Sequence, residues 1–180
     1  MKGIVFTEFL EMVETTFGLE VVDSIIENST LESEGAYTAV GTYDFNEMVS
    51  LLTCLSETSK MPINDLLYSF GYYLFDGLCK AHPEVVRAYK NPLALIYAIE
   101  DHIHIHVKKL YPDAELPNFK ILEKTETSLV MIYSSSRGLY ALANGLINKT
   151  FEYFGNTVTV DYELLNEAGT EVQFAIVQNG

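Results

Sequence analysis

A short polar segment, IYSSSRG at residues 132–138, follows the apolar run that ends at Met131. Within it Tyr133, Ser135 and Arg137 alternate, so on an extended chain their side chains would point the same way. The two hydroxyls and the planar guanidinium are donors that suit a ligand with two carboxylates. On its own, however, the segment is better explained as a polar turn before a helix, because serine-rich turns are common.

Three of the four histidines lie in the segment DHIHIHV, which begins at Asp101. If this segment were a strand, His102, His104 and His106 would share one face. Three imidazoles in that arrangement could hold zinc with one position open for water, and Glu100 or Asp101 could act as the general base. The alternation alone therefore predicts a zinc-dependent enzyme.

The flanking sequence favours a helix for the same segment. Asn91 followed by Pro92 is a typical helix start, and apolar residues at helical spacing continue through the histidines to about Leu110: Ile96, Ile99, Ile103, Val107 and Leu110. On a helix His102 and His106 are neighbours, while His104 is displaced from them by about 200°. His104 then stands alone beside the apolar stripe, either as a hydrogen-bonded core histidine or as a ligand for the iron of a large flat cofactor.

Apolar periodicity predicts further helices earlier in the chain: residues 6–17, ended by Gly18; a helix opened by Asp44, whose spacing to Glu47 is that of a capping box; and residues 64–80. The last third alternates instead. It predicts two antiparallel strand pairs, residues 119–124 with 128–133 and residues 157–164 with 171–177, with a helix over residues 139–151 between them. The predicted fold class is α+β, a mostly helical N-terminal two thirds packed with a small four-stranded antiparallel sheet.

Charge and composition limit the partners. The chain has 180 residues, with 25 acids against 11 bases and a formal charge of −14. An anionic protein is repelled by nucleic acid and by anionic membranes, so neither is expected as a partner, whereas a basic protein surface is. Glu8 interrupts any hydrophobic signal segment, and Cys54 and Cys79 are expected to be buried free thiols. These features predict a cytoplasmic protein.

Taken together, the isolated helical His104 and the Tyr-x-Ser-x-Arg motif resemble the H-NOX family, the heme nitric oxide/oxygen-binding domains that include the sensor of soluble guanylate cyclase. Further segments are similar to those of the family: Met1-Lys2-Gly3, Asp101-x-x-His104, Leu116-Pro117 and Asn144-Gly145-Leu146-Ile147. The resemblance covers essentially the whole chain. It implies a single domain over residues 1–180, with a helical distal part at about 1–62 and a proximal part containing the sheet at about 63–180.

The resemblance also implies a cofactor, heme b (iron protoporphyrin IX), buried between the two parts. His104 would be the axial iron ligand, and Tyr133, Ser135 and Arg137 would hold the two heme propionates. Pro117 would press on the macrocycle. These roles agree with the chemistry of the residues, because buried carboxylates need charge-assisted partners.

The choice of gas depends on the distal pocket. In H-NOX proteins that bind O₂ tightly, a tyrosine lies five residues after the signature arginine, and here that position is Leu142. Tyr140 faces about 200° away on the same helix and is no obvious substitute. The other positions that match the family's distal pocket are apolar too: Val5, Phe9, Leu74 and Leu78. A pocket without a hydrogen-bond donor is expected to bind NO and CO, with little or no affinity for O₂.

The resemblance implies a sensor without a catalytic centre. In similar domains NO weakens the bond between iron and the proximal histidine, and relaxation of the heme moves the protein surface. The signal is expected to pass to a separate protein, such as a histidine kinase or a cyclic-di-GMP enzyme. Two alternatives stay open at this point: the zinc enzyme based on His102, His104 and His106, and an adaptor domain with neither metal nor pigment.

Overall fold

The computed structural model describes residues 1–179, in which a helical region precedes a sheet. The helices before the sheet are α1 (Gly3–Phe17), α2 (Leu19–Asn28), α3 (Phe45–Ser59), α4 (Ile63–Ala81), α5 (Pro83–Arg87), α6 (Pro92–Tyr97) and α7 (His104–Leu110), with a π-helical turn (Ile99–Ile103) between α6 and α7. The strands are β1 (Asn118–Lys124), β2 (Ser128–Ser134), β3 (Thr157–Leu164) and β4 (Glu171–Asn179). Helix α8 (Tyr140–Tyr153) follows β2 in the chain.

The four strands form one antiparallel sheet in the order β1-β2-β4-β3. Alternate side chains of the two central strands are buried on one face, because successive residues of a strand point to opposite faces: Leu129, Met131 and Tyr133 of β2, and Val172, Phe174 and Ile176 of β4. The predicted α+β class with a small four-stranded antiparallel sheet is confirmed.

The interior contains two apolar clusters. The helical cluster is formed by α1 to α4, with Phe6, Phe9, Leu51 and Phe70 among its buried members. The sheet-side cluster combines the buried faces of β2 and β4 with α6 and α8. Helix α8 contributes to both, since Ala141 belongs to the helical cluster, and Ala143 and Ile147 belong to the sheet-side cluster. It therefore joins the two halves of the interior.

Two glycines allow α4 and α8 to pack closely. A Cβ on Gly145 would lie 2.1 Å from the carbonyl oxygen of Tyr68, and one on Gly71 would lie 2.1 Å from that of Leu142. No real side chain tolerates such a contact, so the two backbones meet where neither residue has a Cβ. The close packing fixes Leu142 against the helical half.

Several predicted helix ends are confirmed. The backbone of Gly18 caps α1, and the Asn91 side chain accepts a hydrogen bond from the backbone N–H of Ala94, 2.7 Å away, with Pro92 in the first turn. The capping box at α3 is only half formed. Asp44 accepts from the backbone N–H of Asn46, but the Glu47 side chain turns inward and accepts hydrogen bonds from Ser33 and Tyr37.

The helix predicted from Asn91 to Leu110 is interrupted. Ala98 and the π-helical turn separate α6 from α7, and the N–H groups of His102 and Ile103 both donate to the carbonyl of Ala98. Cys54 and Cys79 are free thiols, as predicted, but they are half-buried rather than buried. Within residues 1–179, none of the helices has the length and apolarity required to cross a membrane.

Candidate functional site

His104 is the first residue of α7, directly after the π-helical turn. Its side chain is only 13% exposed, and its ring packs beside that of Phe119 with centroids 5.9 Å apart. Burial lowers the pKa of His104, although the nearby Glu100 carboxylate acts in the opposite direction. A neutral imidazole is the form that binds metals. Nδ1 lies 3.3 Å from Glu100 Oε2, and no residue among 1–179 hydrogen bonds to Nε2.

Glu100 connects His104 to the sheet. One carboxylate oxygen accepts a hydrogen bond from the backbone N–H of Phe119 at 3.0 Å, and the other accepts from the Asn118 side chain at 3.1 Å. The first of these oxygens is also the one nearest His104 Nδ1. Glu100 therefore holds the imidazole in place and ties the π-helical turn to the start of β1. The signal for this role in the sequence is the spacing of four residues between Glu100 and His104, whereas the sequence pattern predicts for Glu100 only the role of a general base.

Tyr133, Ser135 and Arg137 do not lie on one extended segment. Strand β2 ends at Ser134, and Ser135–Gly138 form a turn in which the Gly138 N–H donates to the Ser135 carbonyl at 3.2 Å. The polar-turn interpretation is therefore correct for the backbone. The turn still brings Ser135 and Arg137 together, because the Arg137 N–H donates to Ser135 Oγ at 3.3 Å. Tyr133 is joined to the residue that follows the turn, because the Leu139 N–H donates to its hydroxyl at 2.9 Å. Burial raises the pKa of Tyr133, so its hydroxyl keeps its proton.

The Arg137 guanidinium already binds a carboxylate. Nη2 donates to Glu115 Oε2 at 2.6 Å, and Nη1 donates to the Glu115 carbonyl at 3.3 Å. The arginine side chain is 15% exposed, while that of Glu115 is 78% exposed. A cavity of about 300 Å³ adjoins this pair and is lined by Glu115, Leu116, Asn118 and residues 134–137. Ser135 and Arg137 thus face a polar cavity, and Pro117 is half-buried in the segment that forms its other side.

The residues expected on the distal side share the helical cluster. Phe9 and Leu74 are buried in it, and Val5, Leu78 and Leu142 are half-buried and pack against it. They come from α1, α4 and α8, so three helices contribute to one apolar surface. None of the five side chains can donate a hydrogen bond.

Tyr140, the nearest tyrosine in sequence to Leu142, is engaged elsewhere. Its hydroxyl accepts a hydrogen bond from Asn64 Nδ2 at 2.9 Å, and its ring packs against Tyr162 with centroids 5.4 Å apart. These contacts agree with the expectation that it does not replace a distal tyrosine at position 142.

The zinc site predicted from strand-like alternation is wrong. His102, His104 and His106 lie on the π-helical turn and α7, where alternate residues do not share a face. Exposed His102 is 3.4 Å from the Tyr89 hydroxyl, whereas His104 faces Glu100 and His106 lies beside His82. The alternation was misleading because it reflects which residue types occur in the segment and not the conformation of its backbone. The helical spacing of the apolar residues on both sides indicates that conformation.

Comparison with known proteins agrees with this geometry. The model of the Haem-NO-binding family matches residues 2–162. A solved Fe(II) unliganded H-NOX protein from K. algicida is 49% identical, with a TM-score of 0.97 over 100% of this chain and 97% of that one. The IWP-051-bound H-NOX from Shewanella woodyi in the Fe(II)CO state is 38% identical, with a TM-score of 0.84 over 98% of this chain and 94% of that one.

A third structure, an H-NOX protein from S. oneidensis in the Fe(II)NO state, is 27% identical and has a TM-score of 0.92, with both chains covered completely at 100%. No curated protein sequence matched the chain. The family model spans most of the sequence, and the K. algicida protein matches it at high identity along its whole length. The chain therefore belongs to the H-NOX family of heme-binding gas-sensor domains.

Proposed function

We propose that the protein is a sensor that uses heme b to bind NO and CO, with little or no affinity for O₂. The observation that carries the proposal is the state of His104: a buried imidazole, with Nδ1 turned to Glu100 and with Nε2 lacking a hydrogen-bond partner among residues 1–179. Such a ring is ready to bind iron through Nε2. Heme bound there would supply a ferrous iron able to bind a diatomic gas.

Tyr133, Ser135 and Arg137 are the proposed partners of the two heme propionates. The ion pair of Arg137 with exposed Glu115 supports this role, since the same guanidinium can exchange one carboxylate for another. The Glu115 side chain is 78% exposed, so its carboxylate would return to water when a propionate takes its place. The hydroxyls of Tyr133 and Ser135 offer further donors beside it.

Pro117 is the proposed contact with the edge or face of the macrocycle. The next two residues support this role, because Asn118 and Phe119 both hydrogen bond to Glu100, and Phe119 also packs against the His104 ring. A proline has a rigid ring, so a contact at this position would resist movement of the cofactor.

The selectivity for NO and CO over O₂ is proposed to come from Val5, Phe9, Leu74, Leu78 and Leu142. Bound O₂ acquires negative charge and is stabilised by a hydrogen-bond donor, which these side chains cannot supply, whereas NO binds ferrous heme without one. The packing of the five residues in one apolar cluster supports this assignment.

The proposed signal starts at His104 and passes to a separate protein. If binding of a gas loosened His104 from the heme, α7 would lose one of its attachments and would be freer to shift together with the π-helical turn. The residues before that turn support coupling to the sheet, because Leu93 and Ile96 of α6 are buried in the sheet-side cluster. We propose a division into a distal part at about residues 1–62 and a proximal part at about 63–180, and a partner such as a histidine kinase or a cyclic-di-GMP enzyme.

The first test is the visible absorption of the reduced protein. It is expected to show a Soret band that shifts when NO or CO is added. In His104→Gly the band is expected either to be lost or to depend on added free imidazole. His102→Gly, on the exposed side of the same segment, should keep the band without imidazole. A protein that shows no Soret band after heme is supplied during expression would contradict the proposal.

A further inference from the structure

A second group of metal-binding side chains lies apart from the proposed heme site. His82, at the junction of α4 and α5, and Glu84, in α5, lie beside His106 of α7. His82 Nδ1 is 3.6 Å from Glu84 Oε1, and His106 Nε2 is 3.9 Å from the same oxygen. One donor atom from each residue can be chosen so that all lie within 4.8 Å of one another.

These distances are those of a site that needs little adjustment. A tetrahedral zinc site with bonds of about 2.0–2.1 Å places neighbouring donor atoms about 3.3 Å apart. The Glu84 oxygen is slightly farther than that from each ring, and both distances exceed a normal hydrogen bond. Neither imidazole is therefore hydrogen bonded to the carboxylate, and binding of an ion would require the three side chains to draw closer together.

The backbone of His82 is hydrogen bonded on both sides, although the side chains of the group reach solvent. The His82 N–H donates to the Leu78 carbonyl at 2.9 Å, and its own carbonyl accepts from the Val85 N–H at 3.1 Å, so the junction between α4 and α5 is bonded on both sides. The His82 side chain is 26% exposed, that of Glu84 61% and that of His106 44%. A hydrated metal ion can reach the donors from solvent, and the net charge of −14 attracts a cation.

The donor types restrict the metal. Two imidazoles with one carboxylate are typical of Zn²⁺ and related transition metals, whereas Ca²⁺ and Mg²⁺ prefer oxygen ligands alone. We propose that His82, Glu84 and His106 bind one divalent transition-metal ion of the zinc class, with a fourth position open to water. His104 is not among the ligands, and the site needs no heme.

Such an ion would link two elements that are separated in the sequence. It would tie the end of α4 to α7, the helix that begins with His104. A metal bridge at this point would limit movement of α7, and on the function proposed above it would bias the response to a gas. Binding of the ion and its effect on the response are separate measurements.

The experiment is a calorimetric titration of heme-loaded protein, free of any polyhistidine tag and treated with chelator, with ZnCl₂. We expect one binding site per chain. His82→Ala, His106→Ala and Glu84→Gln should each weaken binding at least about tenfold. His102→Ala is the matched control, because it removes a histidine next to α7 that lies outside the group, and it should bind zinc like the parent.

Thermal unfolding with and without zinc gives a second readout on the same proteins. Zinc should raise the Tm of the parent and of His102→Ala but not that of His106→Ala, because only a ligand that binds the folded state stabilises it. If His82→Ala does not fold, Glu84→Gln and His106→Ala still decide the matter, since both side chains are well exposed. Absence of zinc binding, equal loss in His102→Ala, or loss only on replacing Cys54 or Cys79 would overturn the proposal.

Discussion

The contact of Glu100 with Nδ1 is the most direct influence on the orientation of the His104 ring. A carboxylate that accepts a hydrogen bond from Nδ1 makes the imidazole a stronger metal ligand and fixes its orientation. The same carboxylate is anchored by the Phe119 N–H and the Asn118 side chain, so the histidine is positioned by the sheet as well as by its own helix.

Replacing Glu100 by glutamine tests this arrangement. Glu100→Gln keeps an acceptor oxygen but removes the charge, so the hydrogen bond to Nδ1 becomes weaker. We expect the iron–histidine stretching band of the ferrous protein, measured by resonance Raman spectroscopy, to move to lower frequency, and heme to be lost roughly tenfold faster. Glu123→Gln, on the exposed side of β1, is the control and should leave the band in place. An unchanged band in Glu100→Gln would mean that the carboxylate does not act on His104.

Variants of Arg137 and Glu115 form a matched pair that tests the proposed contact with the heme propionates. Arg137→Ala removes a guanidinium that is 15% exposed. Hydrogen bonds to charged groups contribute about 1.5–3 kcal/mol, so we expect heme to be lost roughly 10- to 100-fold faster, measured by transfer to a heme scavenger. Glu115→Gln removes only the competing carboxylate and should leave heme loss unchanged or slower. If both variants lost heme at the parent rate, Arg137 would have no part in holding the cofactor.

The residue types of the candidate site could be predicted from the sequence, but not all of their contacts. His104 stands out because the apolar stripe around it is helical, and Tyr133, Ser135 and Arg137 stand out because they follow an apolar strand. Glu100 is bonded to Asn118 and Phe119, which lie 18 and 19 residues later in the chain. These bonds depend on how β1 packs against the π-helical turn. No local pattern reports a contact of that kind.

At the scale of elements, the π-helical turn is the feature that periodicity could not reveal. A continuous α-helix and a helix with a single π-helical turn differ only slightly in the spacing of their apolar residues. The positions of Ile96, Ile99 and Ile103 are therefore compatible with an uninterrupted helix. The structure instead inserts the turn immediately before His104. Turns of this type are frequent at functional sites, and here the turn carries Glu100. Ordinary signals, such as Asn91-Pro92 and Gly18, predicted the ends of other helices correctly.

The contact between α4 and α8 leads to a prediction about stability. Gly145→Ala would place a Cβ 2.1 Å from the Tyr68 carbonyl oxygen, so the helices must separate. Overpacking of this kind typically costs about 1–3 kcal/mol, and we expect the urea midpoint of the heme-loaded protein to fall accordingly. Glu152→Ala, on the exposed side of α8, removes only a surface ion pair with Lys149 and should shift the midpoint little. Equal midpoints for the two variants would show that the close contact does not matter.

At the scale of the whole molecule, the proposed gas pocket combines residues from distant parts of the chain. Val5 and Phe9 belong to α1, Leu74 and Leu78 to α4, and Leu142 to α8, yet all five pack in the helical cluster. Apart from the family resemblance, the sequence showed only that each is apolar, which is equally true of ordinary core positions. Their grouping depends on the fold, in which the glycine contacts bring α8 against α4. The proposed selectivity for a gas would thus be a property of the assembled domain rather than of one motif.

Leu142→Tyr is the sharpest test of that selectivity. Leu142 is half-buried against the helical cluster, and its backbone is held close to Gly71, so a larger side chain there starts beside the apolar region. A phenol would bring a hydrogen-bond donor into a pocket that has none among its five proposed members, and a donor stabilises bound O₂. We expect the reduced parent protein to show no stable O₂ complex in air, and Leu142→Tyr to show one by visible absorption, while both bind NO.

Leu142→Met, which introduces no hydrogen-bond donor, is the control for altered packing and should behave like the parent. Stable O₂ binding by the parent would contradict the proposed selectivity, and a Leu142→Tyr protein that binds heme and NO but not O₂ would show that position 142 does not face the gas.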